Sequence, residues 1–267
     1  MKKIFVLFFA ISLGNFALGQ ETATSAMHQV SVEELKIFSV LYSQKAAEYR
    51  ALCYQAFNSA KWTLEQDLKH KKRKEKWAIV TDLDETIIDN SYFNAQLIKE
   101  GVDFTGPKWK QWTNLSAATA VPGAMEFLKW ASSKGIEIFY ISNRDTGEVT
   151  TTVINLNKLQ LPNADAAHCL FRSNKSNKED RRIQVASTHK IVMLMGDNLN
   201  DHAEVFEKKP IDERFAETDK AKEEWGHRYI VLPNAFYGEW ENALYNYQRN
   251  LSTEQRKKIL MDLLKGF

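Results

Sequence analysis

From Trp77 onward, short apolar runs alternate with longer segments of helical period. The runs are WAIV at 77–80, IEIFYI at 136–141, HCLF at 168–171, IVMLM at 191–195 and YIVL at 229–232. Helical patterning fills 124–133, 146–159, 177–187 and 213–225 between them. Near-continuous apolar strands separated by helices predict an α/β fold, a parallel sheet covered on both faces. Ahead of the first run, 32–68 reads as one or two helices. Leu35, Phe38, Leu41 and Tyr42 recur at helical spacing, Ser31 and Glu34 offer a capping box, and no Pro or Gly interrupts. The charged run KHKKRKEK at 69–76 reads as a solvated connection. Residues 87–122 are long for a strand-to-helix connection and read as an insert capping one end of the sheet.

The front of the chain carries an address. Met1-Lys2-Lys3 precedes an apolar stretch, 4–18, which ends in Ala17-Leu18-Gly19. A cationic start, a core of this length and a small-residue exit predict a secretory signal peptide over 1–19. The stretch is shorter than the roughly 20 residues of a membrane span, and Gly14-Asn15 interrupts it. No cysteine stands at the exit to take a lipid, and no later segment is apolar for long enough to span. The expectation is a single domain over 20–267, exported to a periplasm or secreted, with no stable membrane span once the leader is gone.

The whole chain has 36 basic and 34 acidic residues, but Lys2 and Lys3 lie in that leader. What remains is formally neutral, which argues against a nucleic-acid polymer as partner. An anionic ligand must then be held by local groups. The two cysteines, Cys53 and Cys169, lie in apolar surroundings and read as separate core thiols, although export would permit a disulfide.

Three of the five runs end in clustered polar residues: Thr81-Asp82-Leu83-Asp84-Glu85-Thr86, Ser142-Asn143-Arg144-Asp145, and Gly196-Asp197-Asn198-Leu199-Asn200-Asp201. Ligands of open α/β sheets bind outside the carboxyl ends of the strands, so three such clusters would meet at one site. Each has a bland explanation alone, since Asp or Ser after a strand often just caps the next helix. Two acidic clusters more than a hundred residues apart are harder to dismiss. Carboxylates gathered in a buried place need a compensating cation, and a hard one such as Mg²⁺ suits oxygen ligands.

These residues, with Lys178-x-x-Arg181, resemble the four motifs of the haloacid dehalogenase superfamily. More narrowly they resemble the class C acid phosphatases, the bacterial acid phosphatase and 5′-nucleotidase lipoproteins, over most of the chain from Glu48 to Trp240. The missing lipobox cysteine is a departure that removes the family's usual anchor. The resemblance implies a Rossmann-like sheet and a Mg²⁺-dependent phosphomonoesterase. Asp82 would be the nucleophile, becoming a transient aspartyl-phosphate, and Asp84 would protonate the leaving alcohol and then activate water. Asp82, Asp197 and the main-chain carbonyl of Asp84 would hold Mg²⁺, with Asp201 as outer support. Ser142, Asn143 and Lys178 would bind the phosphoryl oxygens, with Lys175 as the alternative to Lys178. Trp109, the first of the Trp-x-x-Trp pair in GPKWKQW, and Tyr237, before Gly238-x-Trp240, match the two rings that sandwich a nucleobase in that family. Aromatics three apart are more often packing residues than ligand contacts, so both readings stand for these two.

The expected substrates are small phosphomonoesters, nucleoside 5′-monophosphates among them. A phosphotransferase or a sugar phosphatase on the same fold is the nearest alternative, and a non-catalytic phosphate-ester binding protein the most distant. Homo-oligomerisation is left open by the sequence.

Overall fold

In the computed structural model, which describes residues 31–267, seven strands form two sheets. They are β1 (Trp77–Thr81), β2 (Ile88–Asp89), β3 (Thr119–Ala120), β4 (Ile136–Asp145), β5 (Cys169–Arg172), β6 (Lys190–Gly196) and β7 (Tyr229–Val231). Five make the central sheet, in the order β5-β4-β1-β6-β7 with every neighbouring pair parallel. The short β2 and β3 pair antiparallel and bracket the 87–122 connection. The leader expected over 1–19 lies outside the described residues.

Among the described residues ten α-helices accompany them: α1 (Ile37–Lys45), α2 (Ala47–Asp67), α3 (Ser91–Glu100), α4 (Gly106–Asn114), α5 (Ala124–Ser133), α6 (Val149–Lys158), α7 (Glu179–Ala186), α8 (Ile211–Lys220), α9 (Glu239–Leu244) and α10 (Thr253–Leu263). The alternation of β1 divides its buried side chains between two cores. Ile79 joins Phe57 and Leu64 of α2, Phe127 and Leu128 of α5 and Leu156 of α6 on one face. Ala78 and Val80 meet Ile141, Leu194 and Val185 of α7 on the other. Helices therefore cover both faces, as the run pattern requires. No helix among the described residues is long and apolar enough to cross a membrane.

Each predicted apolar run is a strand, and two boundary differences have physical causes. β4 continues four residues past its apolar run, because Ser142–Asp145 stay extended while β4 pairs with β5 through a register shift. The helix expected at 213–225 stops at Lys220, and the Trp225 indole donates back to the Thr218 carbonyl at 2.9 Å from a turn.

The helical segment ahead of the sheet is two helices, and the first leaves its apolar positions exposed. α1 buries Val40 and Ser43, whereas Leu35, Phe38, Leu41 and Tyr42 are all at least 40% exposed. The chain leaves helical geometry at Ala46 (ψ 130°), so α1 is a short separate piece and its apolar stripe never reaches the sheet. Cys53 and Cys169 are buried free thiols, pushed up to about 11 and about 12 by burial and thus kept protonated.

Candidate active site

The acidic clusters meet where β1 and β6 end. The Asp82 N–H donates to the Met195 carbonyl at 2.8 Å, so the chain leaving β1 stays hydrogen-bonded to β6. Gly196 then lets the Asp201 carboxylate fold back onto β6, since a Cβ at Gly196 would stand 2.3 Å from it. As a result, one oxygen each from Asp82, Asp197 and Asp201 lie within 4.8 Å of one another. The buried Lys178 ammonium bonds to Asp82 and lies 2.7 Å from Asp201. Asp197 accepts hydrogen bonds from the Thr86 hydroxyl (3.2 Å) and the Asn234 amide (2.7 Å).

One ammonium cannot balance three carboxylates away from water. Burial pushes Asp82 up to about 7, with Lys178 working against the rise and Asp201 adding to it. Burial and the neighbouring charges of Asp201 and Asp82 raise Asp197 well above the usual carboxylate range. An all-oxygen cluster with surplus negative charge fits a hard divalent cation.

Asp84 turns the other way. Its carboxylate is forked by Arg144, through Nη2 at 2.7 Å and Nε at 3.1 and 3.2 Å. It also accepts from the Asn90 amide at 2.8 Å and the Ser142 hydroxyl at 3.3 Å. Only its main-chain carbonyl is left for a cation. Ser142, 1% exposed, caps no helix; its hydroxyl oxygen accepts the Arg144 N–H, and Asp145 with Glu148 supplies the capping box of the next turn.

The insert walls a cavity of about 480 Å³ above Asp84 and Arg144, lined also by Phe93, Phe104, Trp109 and Tyr237. Trp109 stands edge-on to Phe93 at 5.2 Å between centroids, with the Arg144 guanidinium 5.3 Å from its ring centre. Tyr237 donates its hydroxyl to buried Glu85. Trp112, three residues after Trp109, donates instead to the Asn90 side chain at 2.8 Å and packs against the core. The Trp-x-x-Trp pair is thus divided between a cavity wall and a fastening. A larger groove of 720 Å³ beside α1, α3 and α4 contains none of the carboxylates of the cluster.

A family model describing the haloacid dehalogenase superfamily, subfamily IIIB (acid phosphatase), matches residues 11–240. The chain belongs to this acid phosphatase family. It is similar to the class C acid phosphatase from Bacillus anthracis, at 39% identity and a TM-score of 0.83 over 88% of this chain and 98% of that one. A second structure of the Bacillus anthracis enzyme, with tungstate bound, matches at 38% identity and a TM-score of 0.84, covering 88% and 99%. The protein is a phosphomonoester hydrolase of the haloacid dehalogenase fold.

Lys178, not Lys175, lies in this phosphatase's site: Lys175 faces solvent 3.6 Å from Asp180. Asn143 is exposed at the mouth and accepts from Arg181 at 2.8 Å, while another Arg181 nitrogen holds the Ser142 carbonyl at 2.6 Å. Four residues escaped the sequence reading as site residues. Arg144 and Asn90 orient Asp84; Asn234 holds Asp197; Glu85 anchors Tyr237. Glu85 adopts φ 59°, uncommon for a residue with a side chain, and is pushed up to about 8 by burial and the Asp84 charge. Its only advance signal was its place inside the first acidic motif.

Proposed function

We propose that this acid phosphatase hydrolyses nucleoside 5′-monophosphates and related small phosphomonoesters with Mg²⁺, through a phosphoryl group carried on Asp82. The observation that carries the reading is the join between two unlike places: the Asp82–Lys178 pair at the floor and the aromatic cavity that opens beside Asp84. Asp82 attacks phosphorus, Lys178 moves from its carboxylate partner to the phosphoryl oxygens, and the Ser142 hydroxyl and Asn143 amide face the same group. The binding of tungstate, a tetrahedral oxyanion, by the Bacillus anthracis relative agrees with a phosphate-shaped site.

Asp82, Asp197 and the Asp84 carbonyl would hold the Mg²⁺, with Asp201 turned to Lys178 and to the Asn198 N–H (3.1 Å) as outer support. The ion would screen the phosphate from the nucleophile's own charge. Asp84 serves as acid and then base at the leaving oxygen. The arriving phosphate, itself an anion, competes for the Arg144 fork that holds Asp84 in the free enzyme. Trp109 and Tyr237 stack on the base, a contact every base can make. An N-terminal leader ending near residue 19 directs export, which sequencing the N-terminus of the exported protein tests.

Phosphate release from a panel of nucleotides and sugar phosphates, with Mg²⁺ and with chelator, tests the whole. Activity that survives thorough chelation removes the metal. Equal kcat/KM for sugar phosphates and nucleotides removes the nucleobase.

A further inference from the structure

Lys178 and Arg181 leave the same face of the first turn of α7, Lys178 as its N-cap and Arg181 as its third residue. Lys178 reaches Asp82. Arg181 reaches instead to the carboxyl ends of β4 and β5, where the ladder between them is interrupted. Ser142 pairs with Phe171, and Asp145 pairs with the next residue, Arg172. Asn143 and Arg144 are therefore a bulge with no partner in β5, and bulges beside active sites re-aim side chains. The two bulged side chains go to different tasks. Arg144 forks Asp84, while Asn143 stands exposed where the aromatic cavity meets a polar cleft on the Lys178 side.

Five acceptors converge on the Arg181 guanidinium. Its Nη1 donates to the Ser142 carbonyl at 2.6 Å and the Leu170 carbonyl at 3.3 Å, closing the bulge from both strands. Its Nη2 donates to Asn143 Oδ1 at 2.8 Å and to the Ser176 and Asn177 carbonyls at 3.2 and 3.1 Å. Ser176 and Asn177 are the two residues ahead of Lys178. One side chain thus ties the bulge that carries Asn143 to the turn that delivers Lys178. A guanidinium only donates, so the Asn143 atom facing it is the oxygen. The amide nitrogen, with its two N–H donors, is the end left for a ligand. Turned over, the same amide would present an oxygen to an anion and repel it.

We propose that Arg181 is a positioning residue of the phosphate site. It fixes which end of the Asn143 amide meets the phosphoryl group, and it holds that amide in register with the Lys178 ammonium. The inference rests on the phosphate-binding roles of Asn143 and Lys178 proposed above. It also gives the Lys-x-x-Arg spacing a physical reason: the first residue supplies charge to the phosphoryl group and the second holds the frame. Lysine could not replace arginine in that task, because an ammonium is a point donor and the five acceptors lie on three separate segments.

The test compares Arg181→Lys, Asn143→Ala and the double variant in excess Mg²⁺. Calorimetry reads the affinity for inorganic phosphate and tungstate, and kinetics reads KM and kcat on a nucleotide and a sugar phosphate. Arg181→Lys keeps the charge and loses the fork. It should weaken phosphate at least about tenfold and lower kcat/KM by a similar factor on both substrates, since the phosphoryl group is common to them. The double variant should lose clearly less than the product of the two single losses. In Arg181→Ala, added guanidinium should restore phosphate affinity where methylammonium at the same concentration does not. Phosphate affinity in Arg181→Lys within about twofold of wild type, or losses that multiply in the double variant, would overturn the positioning role. So would guanidinium that restores the Tm of Arg181→Ala without restoring phosphate binding, the mark of a purely structural bond. Unchanged phosphate binding in Asn143→Ala would overturn the phosphate-binding reading of Asn143 itself, which separates the failure of that reading from the failure of this one.

Discussion

Two clefts of similar size flank the acidic cluster, and Asn143 alone lines both. One, about 480 Å³, is walled by Phe93, Phe104, Trp109 and Tyr237 above the Asp84–Arg144 pair. The other, about 540 Å³, is lined by Lys178, Asp201, Asn198, Glu204, Glu207 and other polar groups, with Tyr247 as its single aromatic residue. Volume does not separate them; chemistry does. A planar base gains most where water is already excluded by flat apolar surfaces, whereas the polar cleft would have to give up hydrated amides and carboxylates to receive it. For the nucleotide reading proposed above, the leaving group belongs on the aromatic side.

The sharpest break removes what both clefts depend on. Asp82→Asn should lower kcat by roughly 10⁴-fold or more on every substrate, because an amide cannot attack phosphorus. Single-turnover phosphate release from the purified, folded variant checks this, and substantial activity would remove Asp82 as nucleophile.

Next comes the floor's charge. Asp197→Asn should weaken Mg²⁺ activation by about 100-fold or more, and Asp201→Asn by about tenfold, since the Asp201 oxygens are already engaged by Lys178 and the Asn198 N–H. Mg²⁺ titrations of both variants read the ratio; equal losses would place both in direct contact with the ion.

The comparison itself is tested by Trp109→Ala and Tyr237→Ala. Losing a stacking face should cost about 1–3 kcal/mol for a nucleotide, a roughly ten- to hundredfold fall in kcat/KM, and little for a small sugar phosphate. Tyr237→Phe keeps the ring while losing the Glu85 bond, and should retain most nucleotide activity. Glu204→Gln, in the polar cleft, should change neither substrate by more than about twofold. A uniform fall with a large drop in Tm would instead mark the two rings as packing residues.

The smallest effect is in stability. Asp82, raised from 3.8 to about 7, keeps a proton in the folded metal-free enzyme that the unfolded chain has already lost over that window. The folded state binds more protons there, so metal-free stability should fall as pH rises between those values. Mg²⁺ binds the ionised carboxylates, so the Tm gained on adding it should be larger near about pH 7 than near about pH 5. Thermal melts with and without Mg²⁺ at both pH values decide, and an increment that shrinks with pH would contradict the assignment.

The sequence by itself determined the five strands, their parallel arrangement and the polar residues at their carboxyl ends. Apolar runs of strand length have few other ways to be buried, and the residues that end them are fixed in place by the chain. It also favoured Lys178 over Lys175, through the likeness of Lys178-x-x-Arg181 to a family motif. Tertiary structure decided what depends on approach across the sheet. Asp84 is forked by Arg144, sixty residues away, and Asn90 joins it to Trp112 of the insert. Trp109 and Trp112 share the same helix and the same local pattern, yet one walls the cavity and the other fastens the insert. Leu35, Phe38, Leu41 and Tyr42 recur at helical spacing, yet all four stay at least 40% exposed. Periodicity records which residues share a face. Only the packed chain settles what that face meets, because burial and pairing belong to contacts between distant segments.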